Sequence, residues 1–84
     1  KDINPQAPTH ILIIPKRHFA NAPALAKTEG ATLSEIFMAA KEIGLENGVE
    51  SFRTVFNTGA DAGQTVFHAH LHLLGGRKFA WPPG

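Results

Sequence analysis

The sequence predicts an α+β fold in which an antiparallel sheet packs against one main core helix. Three short segments at residues 10–15, 51–57 and 64–74 are rich in apolar or β-branched residues and are bounded by Pro or Gly, as strands are. Between the first two lies a longer stretch with helical periodicity. This order of elements predicts a single domain over residues 1–84.

The first predicted strand, HILIIP at residues 10–15, is apolar and β-branched and is flanked by Pro8 and Pro15. Such a composition is typical of a mostly buried strand. The following segment, residues 19–30, is rich in small residues and contains Pro23, so it predicts a loop or one short helical turn.

The main helix is predicted to begin at Thr32, because Thr32-Leu33-Ser34-Glu35 matches a capping box. Apolar residues then recur with helical spacing and predict one buried stripe. The members of this stripe are Leu33, Ile36, Phe37, Ala40 and Ile43. Gly44 or Gly48 is predicted to end the helix.

Two further strands are predicted after the helix. The segment SFRTVFN at residues 51–57 is the second strand, and GADAG at residues 59–63 is a Gly-rich turn. The third strand, residues 64–74, contains HAHLHLL, in which three of the chain's five histidines stand at alternate positions. GGRKFAWPPG at the end of the sequence cannot continue a regular element.

Charge and composition exclude several classes of protein. Eight Lys and Arg against seven Asp and Glu give a net charge of +1, so no overall field favours nucleic acid or an anionic membrane. The absence of cysteine excludes a disulfide framework and any thiolate metal site. With no apolar run of membrane-spanning length, we expect a soluble protein of the cytoplasm, and of the nucleus as well if the source is eukaryotic.

Because side chains alternate along a strand, His68, His70 and His72 are predicted to share one face, with neighbours roughly 6–7 Å apart. Ala69, Leu71 and Leu73 would then pack on the core. Three interpretations of the histidine face are open. The residues are polar filler on a half-exposed strand, ligands of a metal ion, or groups that act on phosphate.

Phosphate chemistry accounts for the most residues. An imidazole is largely neutral and nucleophilic at pH 7, and its neighbours can hold its tautomer or pass a proton. Gly63-Gln64-Thr65, just before the histidines, offers backbone and side-chain donors for an oxyanion, although alone it would indicate only a turn. A metal site lacks an obvious further ligand, since the nearest carboxylate, Asp61, lies in the turn.

The pattern His-Ala-His-Leu-His-Leu-Leu at residues 68–74 resembles the signature of the histidine triad (HIT) superfamily. Three segments, DINPQAPTHILIIPKRH, FNTGADAGQTVFHAHLHLLGGR and WPPG, are similar to the Hint branch, the histidine triad nucleotide-binding proteins. Only residues 19–55 are generic. The resemblance therefore covers more than half of the chain.

The resemblance implies a hydrolase of purine nucleoside phosphoramidates that uses neither metal nor cofactor. His70 would attack the α-phosphorus, His72 would bind the phosphate, His68 would orient the nucleophile, and His10 would support the cluster. Nucleotide-binding positions would be Asp2, Ile3, Asn57, Gly63, Gln64, Thr65, His70, Leu71 and His72. From the residues alone, Asp2 could instead be an Asx cap, His10 a core histidine, and His18 a surface or structural residue.

Members of this superfamily usually carry an N-terminal hairpin and short helix ahead of the Asp-Ile segment. We therefore expect an N-terminally incomplete domain, with its base contacts in question. The resemblance also implies a homodimer in which Trp81 packs near the partner's site, rather than a frayed tail. Two other functions stay open: a dinucleoside polyphosphate hydrolase of the same superfamily, and a nucleotide-binding regulatory module.

Overall fold

The computed structural model describes residues 5–84, and this part of the chain forms the predicted α+β fold. Its antiparallel sheet has three strands in the order β1-β3-β2. The elements are β1 (Thr9–Ile13), α1 (Ala22–Thr28), α2 (Gly30–Glu46), β2 (Phe52–Val55), a 3₁₀ turn (Ala60–Ala62) and β3 (Leu71–Gly75). The predicted nucleotide-binding residues Asp2 and Ile3 lie outside the described residues.

The sheet places β3 in the centre, so its residues have neighbours on both sides. His72 is paired with Leu12 of β1 and with Val55 of β2. Directly opposed residues of antiparallel strands point to the same face of a sheet. His72 therefore shares its face with Leu12 and Val55, and Leu71 and Leu73 occupy the other face.

That second face carries the core. Leu71 forms a buried cluster with Leu25 of α1 and with Ile36 and Ala40 of α2. Burial alternates along the histidine segment as predicted. Ala69, Leu71 and Leu73 are buried, whereas the three alternating histidines are half-buried. The prediction that one face of this segment packs against the main helix is confirmed.

The predicted start of the main helix is wrong. Thr32 lies inside α2, which begins at Gly30 with Glu29 as its N-cap residue and without a side-chain capping hydrogen bond. The backbone N–H groups of Thr32 and Leu33 both donate to the Glu29 carbonyl. Glu29 also ends α1 through its N–H bond to the Leu25 carbonyl, so the two helices share this residue and leave no room for a later cap.

The end of α2 agrees with the prediction that Gly44 or Gly48 stops the helix. The helix reaches Glu46, and Gly48 follows with a φ of +72°, a conformation that favours glycine. In the predicted stripe, Ile36 and Ala40 are buried, but Phe37 is 43% exposed and contacts the ring of Phe56. No helix within residues 5–84 combines the length and apolarity needed to cross a membrane.

The segment expected to be a loop or a single turn contains the seven-residue helix α1. Asn21 caps it, because its side-chain oxygen accepts a hydrogen bond from the Ala24 N–H at 3.0 Å. Pro23 lies in the first turn, where its missing N–H costs no helical hydrogen bond. The Asn-Ala-Pro sequence was therefore a helix start that the sequence interpretation overlooked.

The third strand is shorter than predicted, because it begins at Leu71 and not at Gln64. Its pairing with β1 stops where Leu71 faces Ile13, two residues before Pro15. Proline has no N–H to donate to a ladder. His68 and His70 therefore lie in an irregular segment before β3, which is fixed by the bond from the Ala69 N–H to the Phe19 carbonyl.

Candidate active site

The ring of His70 is fixed by the backbone two residues before it. Its Nδ1 lies 2.7 Å from the carbonyl oxygen of His68. A carbonyl only accepts hydrogen bonds, so Nδ1 must carry the proton. In the neutral ring the lone pair then resides on Nε2, which gives His70 the tautomer required of a nucleophile that attacks through Nε2.

His72 receives its tautomer from the neighbouring strand. The backbone N–H of Gln6 donates to Nδ1 of His10 at 3.0 Å, so that nitrogen is unprotonated and the proton of the neutral ring is on Nε2. His10 Nε2 lies 2.8 Å from Nδ1 of His72 and therefore donates to it. His72 is thus left with its own proton on Nε2.

The rings of His70 and His72 lie 4.9 Å apart, closer than the roughly 6–7 Å expected from strand spacing. They meet edge to face at an interplanar angle of 63°. The centroids of His10 and His72 are separated by 5.1 Å. Three of the four predicted catalytic histidines therefore form one contiguous group.

His68 is held in a different way. Its Nε2 donates to the carbonyl oxygen of Pro15 at 3.1 Å, and its ring makes an edge contact with His18 at a centroid distance of 5.0 Å. His18, which the sequence predicts to be a surface or structural residue, is exposed. Its ring nevertheless contacts the ring of His68, a relationship that sequence spacing does not indicate.

A small cavity of about 150 Å³ adjoins the histidines. It is lined by Leu12, Ile14, Val66, His68 and His70. A larger cavity of about 500 Å³ lies between the end of β1 and α2 and contains none of the histidines. Because the walls of that cavity carry both cations and carboxylates, including the Arg17–Glu29 pair at 2.7 Å, it offers no net charge to an anion.

Gln64 holds the loop before the histidines together. Its side-chain oxygen accepts from the Gly59 N–H at 2.8 Å, and its side-chain nitrogen donates to the carbonyls of Ala20 at 2.7 Å and Val66 at 3.2 Å. Its backbone N–H donates to the Gly59 carbonyl. Every N–H of this buried residue is thus used inside the protein, so Gln64 supports the loop in this arrangement, and its direct contact with phosphate stays a prediction.

The remaining predicted positions differ in how they can reach a ligand. Thr65 is exposed next to the histidine segment, Asn57 is half-buried just after β2, and Gly63 adopts a φ of +95°. The Leu71 side chain is in the core, only 1% exposed, so any ligand contact from this residue must involve its main chain. Trp81 is 82% exposed on the described chain.

The imidazole nitrogens of the cluster are a possible donor set for a metal ion. Within residues 5–84, no three His, Cys, Asp or Glu side chains form a group that could hold a metal ion. The imidazole nitrogens Nδ1 of His70, Nε2 of His68 and Nε2 of His10 each carry a proton that is donated to a neighbour. These nitrogens are therefore not available as ligands in this arrangement.

Comparison with known proteins agrees with this fold and cluster. A family model for the HIT domain matches residues 1–79. An uncharacterised HIT-like protein of Synechocystis is 51% identical over all of this chain and 75% of its own length. A 14 kDa zinc-binding protein of Zea mays is 50% identical, over all of this chain and 68% of its own length.

Solved structures give the same result. A HIT family hydrolase from Legionella pneumophila superimposes with a TM-score of 0.95 at 46% identity, covering all of this chain and 77% of that one. A hypothetical histidine triad nucleotide-binding protein from Sulfolobus tokodaii gives a TM-score of 0.72 at 29% identity, with 96% and 55% covered. The fold and the site together define a small α+β domain that carries a cluster of alternating histidines. This chain belongs to the HIT family.

Proposed function

We propose that this protein is a purine nucleoside phosphoramidate hydrolase of the Hint branch. The observation that carries the proposal is the 2.7 Å bond from His70 Nδ1 to the His68 carbonyl, which leaves the His70 lone pair on Nε2. The hydrolase named among the similar structures supports the reaction class, and the nucleotide-binding relative supports the ligand class.

In the first step, Nε2 of His70 attacks the α-phosphorus of the substrate. A phosphorus–nitrogen bond to the imidazole forms as the bond to the amine breaks, and the amine leaves with a proton supplied within the site. His72 carries a proton on Nε2, the tautomer that can donate to a phosphoryl oxygen. This donor would stabilise the charge on the transferring phosphoryl group.

In the second step, water attacks the phosphorus of the nucleotidyl-histidine. The water loses a proton to the site, which replaces the proton given to the amine in the first step. The bond to His70 Nε2 breaks, the nucleoside monophosphate leaves, and the imidazole recovers its lone pair. Throughout, the His68 carbonyl keeps His70 Nδ1–H in place. His68 thus orients the nucleophile through its backbone, while its ring is held by Pro15 and touches His18.

Further ligand contacts belong to the same proposal. Thr65 and Asn57, with the main chain of Gly63 and Leu71, would meet the phosphate, and Asp2 with Ile3 would meet the ribose. Gln64 would act indirectly by fixing the loop that carries Thr65. The single chain would work as a homodimer in the cytoplasm, with Trp81 packing near the partner's site.

Exposed apolar residues support the homodimer. Met38 and Leu45, seven positions apart on α2, are each 57% exposed and lie on the side of the helix away from the core. The 82% exposure of Trp81 leaves a large aromatic surface in water. Association of two copies would cover such surfaces.

The proposal is tested by steady-state hydrolysis of a tryptamine phosphoramidate of adenosine 5'-monophosphate, with and without chelator. We expect turnover that chelator leaves unchanged, and a mass increase of one nucleotidyl group on the protein after rapid quenching. His70→Ala should abolish turnover and the adduct but retain binding of adenosine monophosphate by calorimetry. Lys27→Ala, at an exposed position of α1, is the control and should behave as the wild type.

Other outcomes would identify the alternatives. Faster turnover of a diadenosine polyphosphate than of the phosphoramidate would assign the protein to the other hydrolase class. Nucleotide binding with no turnover of either substrate would indicate a binding module. Loss of activity with chelator would show a metal requirement and favour the metal-site interpretation, in line with the name of the Zea mays relative, a zinc-binding protein.

A further inference from the structure

Arg77, two residues after the end of β3, links the N-terminal and C-terminal parts of the described chain. Its Nε and Nη2 both donate to the carbonyl oxygen of Gln6, at 3.2 and 3.0 Å. Its Nη1 donates to the Lys78 carbonyl at 3.2 Å. The planar guanidinium therefore holds Gln6 with a forked pair of hydrogen bonds that a lysine ammonium cannot reproduce.

Gln6 is also the residue that sets the tautomer of His10. Its backbone N–H donates to His10 Nδ1 at 3.0 Å, and His10 Nε2 then donates to His72 Nδ1 at 2.8 Å. A continuous series of hydrogen bonds thus runs from the Arg77 guanidinium through Gln6 and His10 to His72. Its last member is the histidine to which we assign the phosphate.

We propose that Arg77 is a positioning residue that fixes the tautomers of His10 and His72 through the backbone of Gln6. By holding the Gln6 carbonyl, it keeps the Gln6 N–H directed at His10 Nδ1. Without that donor, His10 can carry its proton on Nδ1 instead of Nε2, and His72 loses the donor that places its own proton on Nε2. The effect on turnover rests on the proposed function, whereas the effect on the tautomers does not.

The same guanidinium reaches the C-terminal segment. Phe79 lies under two cations, with the guanidinium carbon of Arg77 at 4.2 Å from its ring centroid and that of Arg53 at 5.0 Å. Arg53 also donates to the Ala80 carbonyl at 3.1 Å. Anchoring this segment is therefore the competing role for Arg77, and the Phe79 ring provides the means to separate the two.

The test compares Arg77→Lys with Phe79→Leu in the full chain. Arg77→Lys keeps the positive charge near Phe79 but loses the forked bonds to Gln6, whereas Phe79→Leu removes the ring and leaves those bonds. Imidazole ¹⁵N shifts from long-range ¹H–¹⁵N spectra report the protonated nitrogen of each histidine without any substrate. Arg77→Gln is a second variant in case Arg77→Lys does not fold.

We expect Nε2–H tautomers for His10 and His72 in the wild type and in Phe79→Leu, and a growing Nδ1–H population of His10 in Arg77→Lys. On the phosphoramidate, Arg77→Lys should lower kcat by about three- to tenfold, a loss of the size that one ordinary hydrogen bond contributes, while KM stays unchanged. Phe79→Leu should leave kcat unchanged.

Unaltered histidine tautomers in both Arg77 variants would overturn the proposal. So would an equal shift in Phe79→Leu, because that result would mean that Arg77 acts only by anchoring the C-terminal segment. If the wild type hydrolyses no phosphoramidate but Arg77→Lys shifts the tautomers, the proposed function fails and the positioning role of Arg77 stands.

Discussion

The ring of His10 on edge strand β1 donates to the ring of His72 on central strand β3, with 2.8 Å between Nε2 and Nδ1. His10 is paired with Leu74, so His72 is its diagonal neighbour on the same face. Diagonal pairs on one face are within reach of aromatic side chains. His10 and His72 are 62 residues apart in the chain. The register of their two strands therefore determines which nitrogen of His72 is protonated.

Replacing His10 with Leu removes the acceptor for Gln6 and the donor to His72. Since His10 is buried, we expect a loss of about 1–2 kcal/mol in the free energy of unfolding, and a fall in kcat larger than any rise in KM. His10→Gln, whose amide can still donate, should recover part of both. Urea unfolding and steady-state kinetics would measure these effects, and equal losses in the two variants would contradict the role of the donor.

His68→Ala should be less damaging than His70→Ala. The group that holds His70 is the His68 carbonyl, which alanine retains, whereas the ring bonds to Pro15. Removing the nucleophile should lower kcat by more than about 10⁴-fold. His68→Ala should retain measurable single-turnover formation of the nucleotidyl adduct, and complete loss of that adduct would mean that the His68 ring itself is indispensable.

Gln64→Leu should destabilise the fold. It removes three side-chain hydrogen bonds of a residue that is 3% exposed and leaves the Gly59 N–H and the Ala20 carbonyl without this partner. We expect a loss of about 2–4 kcal/mol, measured by urea unfolding. Thr65→Ala, at the exposed next position, is the control and should change stability by less than about 0.5 kcal/mol. A stable Gln64→Leu variant would show that the loop does not depend on this amide.

Gly75→Ala tests close packing at the end of β3. A Cβ at Gly75 would overlap Cγ1 of the buried Val49, so the Val49 side chain or the strand that carries Gly75 must shift. Overpacking of this kind costs about 1–3 kcal/mol. Gly30→Ala at the start of α2 meets no atom within 4 Å and should leave the midpoint of thermal unfolding unchanged or higher. Equal midpoints for the two variants would argue against the overlap.

The homodimer is tested by sedimentation of Met38→Glu and Leu45→Glu. A charge on this exposed side of α2 should convert a dimer to a monomer, because an unpaired charge would be buried in the interface. Ala26→Glu, which introduces the same charge at an exposed position of α1, is the control and should stay dimeric. A monomeric wild type with full activity would refute the dimer.

The histidine face illustrates what local sequence could predict. Alternation of Ala69, Leu71 and Leu73 with the three histidines was sufficient to assign the buried and the open face, because side chains alternate along any extended chain. The same segment did not reveal its own limits. Where β3 begins depends on its partner strand, and the pairing ends at Ile13, two residues before Pro15.

Helix α1 and the start of α2 show how local sequence motifs can mislead. Local motifs compete, and the apparent capping box at Thr32 gave way to a start at Gly30 because the preceding helix already ends at Glu29. The Asn-Ala-Pro sequence at residues 21–23 is a start signal for α1, although the many small residues around it are also typical of a loop.

By itself, the sequence determined the α+β class and the buried face of the histidine segment, since these follow from periodicity and residue type. The place of His10 beside the alternating histidines was expected only from the family resemblance. Tertiary structure decided which hydrogen bond each imidazole makes, which groups the Gln64 amide holds in the loop, and that Arg77 connects to His72 through Gln6 and His10. Tautomers and hydrogen-bond partners depend on atoms distant in the chain, and only the folded register brings those atoms within 3 Å.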